Sequence, residues 1–257
     1  MNDINLTMLT ADYHTHSRYS RWYHASGSID QMAAAAKQKG LKEIAITDHG
    51  PKHIAFGIKP KNFVKAKKEC IAASNKYGIN VYMGCESNII GQDGTIDVTE
   101  EQQDHLDILL MGYHKGTKCD FIKYRRKKTR NSPQQIQKNT EAYINAINKH
   151  NIAIITHINE YIRVDTLAVA KAAAAKGTII ELNSKHLKLT EDDVVALLES
   201  GVNFVLSSDA HSTRRVADVE SCIQFANKYN IPPERIKNIN QKLNFLKPNG
   251  TINNMAR

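Results

Sequence analysis

The stretch ADYHTHSRYSRWYH, residues 11 to 24, brings three histidines, His14, His16 and His24, close together. An imidazole is costly to bury without a partner, and histidine is the commonest metal ligand among side chains. Similar residue types recur at intervals down the chain: Asp48 and His49 in TDHG, Glu86 in GCESN, His114 in MGYH, His157 in ITH, and Asp209 and His211 in SDAH. Side chains at i and i+2 of a strand share a face. His14 and His16 are therefore about 7 Å apart along a strand and can both reach one ion. Asp209 and His211 repeat that spacing. Nitrogen and carboxylate donors without thiolates suit Zn, Mn or Fe. Cys85, beside Glu86, points the opposite way and reads as a small buried hydrophobe.

Short apolar runs alternate with helical ones, and this alternation must position the reactive groups. Strands are expected within 6–16, 41–50, 79–90, 106–114, 151–157, 178–184 and 203–212. Helices are expected after Ser28, whose partner Gln31 completes a capping box, and over 63–78, 132–150, 165–177, 190–201 and about 215–229. Ser132 is read as an N-cap with Pro133 behind it and Gln135 closing a second box. Seven strand–helix units in series predict a distorted (β/α)7 TIM-like barrel of parallel strands, a single domain over 1–257. An open doubly wound sheet would carry a Gly-rich loop after its first strand, and none is present.

In such barrels the active site lies at the carboxyl ends of the strands. The predicted strands end in His14 and His16, Asp48 and His49, Glu86, His114, His157, Asn183, and Asp209 with His211. Seven of the 11 histidines fall at or just beyond this rim, and His53, His105, His150 and His186 are read as background.

The chain has 257 residues, 41% hydrophobic and 24% charged, an ordinary globular composition. No apolar run reaches the length of a membrane span, and MNDINLTMLT lacks the basic and apolar regions of a secretory signal. Cys70, Cys85, Cys119 and Cys222 form no CxxC pair, which argues against a zinc knuckle or a redox dithiol and fits a cytoplasmic enzyme with reduced thiols. The net charge is +9, and the segment 115–130 is dense in Lys and Arg. That segment reads either as a solvated loop or as a rim attracting a phosphorylated substrate. It lacks the interleaved aromatics of a base-stacking platform, which disfavours nucleic acid.

With DYHTH, ITDHGP, GCESNI, LMGYH, IITH and SSDAH in barrel order, the sequence resembles the PHP (polymerase and histidinol phosphatase) family of phosphoesterases, in its stand-alone trinuclear-metal form. The resemblance runs from about residue 11 to about 245. It implies one divalent ion held by His14, His16, Glu86 and Asp209, a second by Glu86, His114 and His157, and a third by His24, His49 and His211. INEY follows His157 where relatives commonly carry Pro and Gly. The expected reaction is hydrolysis of a small phosphate monoester, histidinol phosphate being one candidate. The expected nucleophile is a hydroxide bridging two ions, with Glu86 and Asp209 central to catalysis. Arg18, Lys52, Arg163 and Lys185 stand in rim loops as candidate phosphate contacts, and Asp48 as an orienting group beside His49.

Two readings from other classes stay open at this stage. An amidohydrolase also uses HxH on its first strand, but would need an eighth strand and a bridging Lys where His114 stands. A metal-binding module could instead act on nucleic acid through the basic segment. In that case charge removal from Arg125 to Lys128 would abolish DNA or RNA binding and leave metal content unchanged.

Overall fold

A computed structural model of the chain describes residues 3–122 and 131–251, so Arg125 to Lys128 lie outside the described residues. Seven strands, β1 Ala11–Thr15, β2 Glu43–Ile46, β3 Asn80–Asn88, β4 Ile108–Gly112, β5 Ile154–Ile155, β6 Ile179–Asn183 and β7 Phe204–Ser207, pair in sequence order, all in parallel. Between and after them run α1 Ile29–Gln38, α2 Phe63–Tyr77, α3 Glu100–Gln103, α4 Pro133–Lys149, α5 Thr166–Lys176, α6 Glu191–Glu199 and α7 Glu220–Lys228. The predicted barrel is present and nearly closed.

Local chemistry explains most of the boundaries. Ser28 and Gln31 form the expected capping box on α1, and Asp165 caps α5, which stops at the left-handed Gly177. On α4 only half of the expected box forms. Ser132 accepts from the Gln135 N–H, but the Gln135 amide turns to the Phe121 carbonyl and to Asn139 Oδ1, both at 2.9 Å. Helix α3 was not expected, since four residues are too few to show a helical period, although Thr99 and Gln102 build a full box. Helix α7 starts at Glu220 rather than near 215, after a separate 3-10 turn at Thr213–Arg215.

Closure between β1 and β7 is sparse. The His16 N–H donates to the Ala210 carbonyl at 2.7 Å, and a single bridge joins Thr15 to Ala210. The fully buried Asn238 fills the gap below. Its amide donates to the carbonyls of Ala11 (2.8 Å) and Leu206 (2.7 Å), and its Oδ1 accepts from the Leu206 N–H (3.0 Å). Replacing Asn238 by Ala leaves these buried backbone groups without partners, a cost of about 3 kcal/mol. Urea unfolding of the apoprotein should show that loss, and an unchanged midpoint would mean that water replaces the amide.

Alternate strand positions face the barrel interior. An inner apolar layer near the amino ends of the strands contains Ala11, Tyr13, Ala45, Tyr82, Ile108 and Val205. Phe245 of the tail packs edge-on against Tyr13 and Tyr82, with ring centroids 6.3 and 5.4 Å away. The opposite faces, including Ile44, Ile46, Val81, Met83, Leu109 and Leu206, pack under the helices. On β3 the inward parity runs from Tyr82 to Glu86 and Asn88. On β1 it breaks: the pairing with β2 shifts register between Asp12 and Thr15. Tyr13 joins the inner apolar layer, yet its neighbour His14 also reaches inner partners on β3 and β6. Bulges of this kind re-aim side chains beside active sites.

Candidate metal centre

The interior above that apolar layer is polar. Glu86, with side-chain exposure of 1%, stands at its centre. Its Oε1 lies 2.8 Å from His157 Nε2 and 3.1 Å from His114 Nε2; its Oε2 lies 3.0 Å from His49 Nδ1 and 3.4 Å from His14 Nε2. Asp209 Oδ1 is 3.2 Å from His16 Nε2 and 3.8 Å from His14 Nε2. On the other side His24 Nε2 faces His211 Nε2 at 2.9 Å, and the His24 ring stacks on Phe56. All nine residues proposed as ligands from the sequence therefore converge on one region, with His49 between the Glu86 group and the His24–His211 pair.

Do these residues fit metal ions? Three imidazoles are held by Nδ1, which leaves Nε2 free to ligate. His14 Nδ1 donates to Glu181 Oε1 (2.6 Å), His114 Nδ1 to Asn88 Oδ1 (2.8 Å) and His16 Nδ1 to Ser20 Oγ (3.2 Å). His49 Nδ1 and Nε2, Glu86 Oε2 and Asp209 Oδ1 are buried without a well-formed hydrogen bond. Such orphaned polar atoms are rare in folded proteins unless an ion or water completes them. Three groups have donor atoms within 4.8 Å of one another: His14, His16 and Glu86; His49, Glu86 and His114; and His16, His49 and His211. The donor set fits divalent cations.

The protonation states divide. Burial alone would lower His14 and His157, but Glu181 and Glu86 beside the first and Glu86 beside the second outweigh it and raise them. Other rings are held neutral. Burial pushes His49 down to about 3 and His24 to about 4, and it also lowers His16, so these rings are neutral at neutral pH. Burial alone would raise Glu86, but the neighbouring charges of His114 and His14 outweigh it and hold the carboxyl well below its usual range. Asp209 is lowered in the same way, burial being outweighed chiefly by the charge of His14. Backbone strain marks the same place: Asp209 (φ 49°) and His157 (φ 29°) both lie in the left-handed region, where non-glycine residues are uncommon.

Several residues at this site escaped the sequence reading. Glu181 on β6 holds both His14 and the His157 N–H (2.8 Å); its only signal was a carboxylate inside an apolar strand run. Asn88 shares Glu86's face of β3 and carries a relay from Asp97, which accepts from the Asn88 N–H and amide and from the Lys52 N–H. Gly50 is required beside it, since a Cβ there would come within 2.3 Å of Asp97 Oδ1. His53 and His186, read as background, lie at the site. The His53 ring is 5.3 Å from that of His49, and His186 Nε2 is 3.7 Å from Asp209 Oδ2. Both sit in loops that fold back over the rim, where strand period carries no information.

Asp48 is placed differently from the expectation that it orients His49. Its carboxylate accepts from the N–H and hydroxyl of both Ser17 and Ser20 at 2.6–2.9 Å, and so reaches His16 through Ser20. Burial pushes its carboxyl up to about 6 against those four donors.

The rim cations divide. Lys185 Nζ is 2.7 Å from His211 Nδ1 and 3.7 Å from Asp209 Oδ1. Arg18 pairs with Glu69 at 3.3 Å, and Lys52 is tied through its backbone. Arg163 is a fork on the buried Asp193, at 2.8 and 2.9 Å, which identifies it as a structural cation. Burial raises Asp193, but Arg163 and the Thr166 and Thr190 bonds outweigh this and lower it. A depressed acid contributes stability above its unfolded pKa, about 3.9, and loses it as pH falls through the lower folded value. Arg163→Ala should therefore cost about 2 kcal/mol at pH 7 and flatten the acid loss seen in urea titrations of the apoprotein. KM for phosphate esters should not change, whereas a raised KM would restore Arg163 as a phosphate contact.

A parallel α/β barrel with histidines and carboxylates crowded at the carboxyl ends of its strands defines the class of metal-dependent barrel hydrolases. Residues 12–189 match the PHP domain family. The chain is 31% identical over 254 residues to "Probable phosphatase YcdX" of Escherichia coli strain K12 / DH10B, covering 95% of this chain and 96% of that one, and equally to the protein of that name in Shigella boydii serotype 18. Among solved structures, histidinol phosphate phosphatase (HISK) of Lactococcus lactis, complexed with zinc, L-histidinol and phosphate, superimposes with a TM-score of 0.63. It is 16% identical and covers 95% of this chain and 98% of that one. The chain belongs to the PHP family and is a hydrolase of the phosphatase type. Among the described residues no helix is long and apolar enough to cross a membrane.

Proposed function

We propose that this protein, a single PHP-type barrel over residues 1–257, hydrolyses a small phosphate monoester with three divalent ions of the Zn, Mn or Fe kind. The observation that carries the reading is the set of four buried, unbonded donor atoms on His49, Glu86 and Asp209 among nine convergent ligands. His14, His16, Glu86 and Asp209 would hold one ion, Glu86, His114 and His157 a second, and His24, His49 and His211 a third. When bound, such ions supply Lewis acidity toward phosphate oxygens and activate water at neutral pH. The chain's own groups do the rest. Glu181, Asn88 and Ser20 hold the ligating imidazoles in one tautomer, and Asp97 braces Asn88 against the turn that carries His49. The Lys185 ammonium, beside Asp209 and His211, supplies positive charge where a phosphoryl group would gather negative charge.

The test is phosphate release by metal-loaded protein from histidinol phosphate, nucleoside monophosphates, a generic aryl phosphate and an aryl phosphodiester. One monoester turned over well above the others supports the reading and names the substrate class. No release from any of them removes it.

A further inference from the structure

The loop that carries His24 also walls an open cleft of about 510 Å³ whose lining includes Arg18, Arg21, Trp22, Lys59 and Lys61 and no acidic residue. Glu69 answers Arg18 from outside the lining, and Arg21 is steadied by the Gly57 carbonyl at 2.7 Å. Lys59 and Lys61 have no ion pair or hydrogen bond from their ammonium groups among the described residues. Among the described residues the cleft thus keeps a positive surplus after Glu69 is counted. Fields of this kind concentrate anions.

Its wall is built at a cost. Trp22 and Tyr23 are consecutive bulky residues at φ 58°, where a Cβ crowds the following carbonyl and right-handed geometry is preferred. They gain little burial in return, since Trp22 is 74% and Tyr23 102% exposed. Strain without compensating packing points to function. The same turn carries His24, whose N–H donates to the Arg21 carbonyl at 3.2 Å, so cleft and metal centre share one loop.

We propose that this cleft is a subsite for a second phosphate, so that the substrate is a phosphate ester whose leaving group carries a further phosphate. Lys59, Lys61, Arg18 and Arg21 receive that group, and the exposed Trp22 ring offers a stacking face to a flat leaving group such as a base. The inference rests on the phosphomonoesterase reading and deepens it.

The chain contains one tryptophan, so all indole emission reports on this cleft. Two matched pairs separate the sources of the second phosphate: a hexose monophosphate against a hexose bisphosphate, and a nucleoside monophosphate against the same nucleoside bisphosphate. Metal-loaded protein should show a KM at least tenfold lower for the bisphosphate of one pair. Lys59→Ala/Lys61→Ala should erase that difference through KM and not kcat. Trp22→Phe should matter only if the preferred pair is the nucleoside one. In the Asp209→Asn background, where substrate survives, the preferred bisphosphate should change Trp22 emission at concentrations where its monophosphate does not, and Lys59→Glu/Lys61→Glu should abolish the change. Equal KM values within both pairs, or a bisphosphate preference that survives loss of both lysines, would overturn the subsite. Failure of the hydrolase reading is separately visible as no turnover of any ester, and in that case the emission titration alone decides the cleft.

Discussion

Asp209→Asn is expected to lower phosphate release about 10³-fold while leaving the fold intact. The magnitude follows from removing a proposed ligand's charge where several kcal/mol of transition-state stabilisation would be generated, at about 1.4 kcal/mol per tenfold. The substitution suits the backbone: Asp209 sits at φ 49°, and asparagine is among the few residues that visit the left-handed region readily. Its amide keeps the shape, so the neighbouring Asn183 amide, 3.4 Å from Asp209 Oδ2, need not lose its acceptor. What disappears is the carboxylate that His14 holds ionised. Circular dichroism and urea unfolding of the apoprotein should match wild type, while metal analysis shows fewer ions per chain. Wild-type turnover in this variant would remove Asp209 from the chemistry.

Glu86→Gln should be as damaging to activity and more damaging to metal content. Among the described residues Glu86 is the one carboxylate within 3.4 Å of four histidine nitrogens, on His14, His49, His114 and His157. Gln replaces one of its oxygens with an NH2 group, which directs hydrogens at imidazole nitrogens and cannot ligate. If Glu86 joins two ions, the variant should lose more than one metal per chain, with turnover down by about 10³-fold or more on the same reasoning. A variant that keeps full metal content and loses only activity would instead make Glu86 a proton-transfer group. Binding stoichiometry by metal titration separates the two outcomes.

The barrel was readable because each of its strands is a short apolar run closed by a polar residue, and because caps such as Ser28, Ser132 and Asp165 announce the helices between them. The ligand candidates were readable for a related reason: His and carboxylate residues just beyond apolar runs stand at one rim once the strands are parallel. The positioning residues were less visible. Glu181 has a place in strand period but no local sign of its partner, since His14 lies 167 residues away. His53 and His186 reach the site through loop geometry, for which sequence has no periodic signal. Arg163 looked like the other rim cations until Asp193, on α6, proved to occupy it.

The sequence by itself determined the order of elements, the parallel barrel and the residue types at its rim, because hydrophobic period and capping act over a few neighbours. Tertiary structure alone decided which way the ends of β1 face and how the barrel closes. The shift between Asp12 and Thr15 lets Tyr13 fill the apolar floor while His14 and His16 reach the polar centre, and Asn238, from far along the chain, joins β1 to β7. Both depend on contacts between segments distant in sequence, and such contacts exist only once the whole barrel has formed.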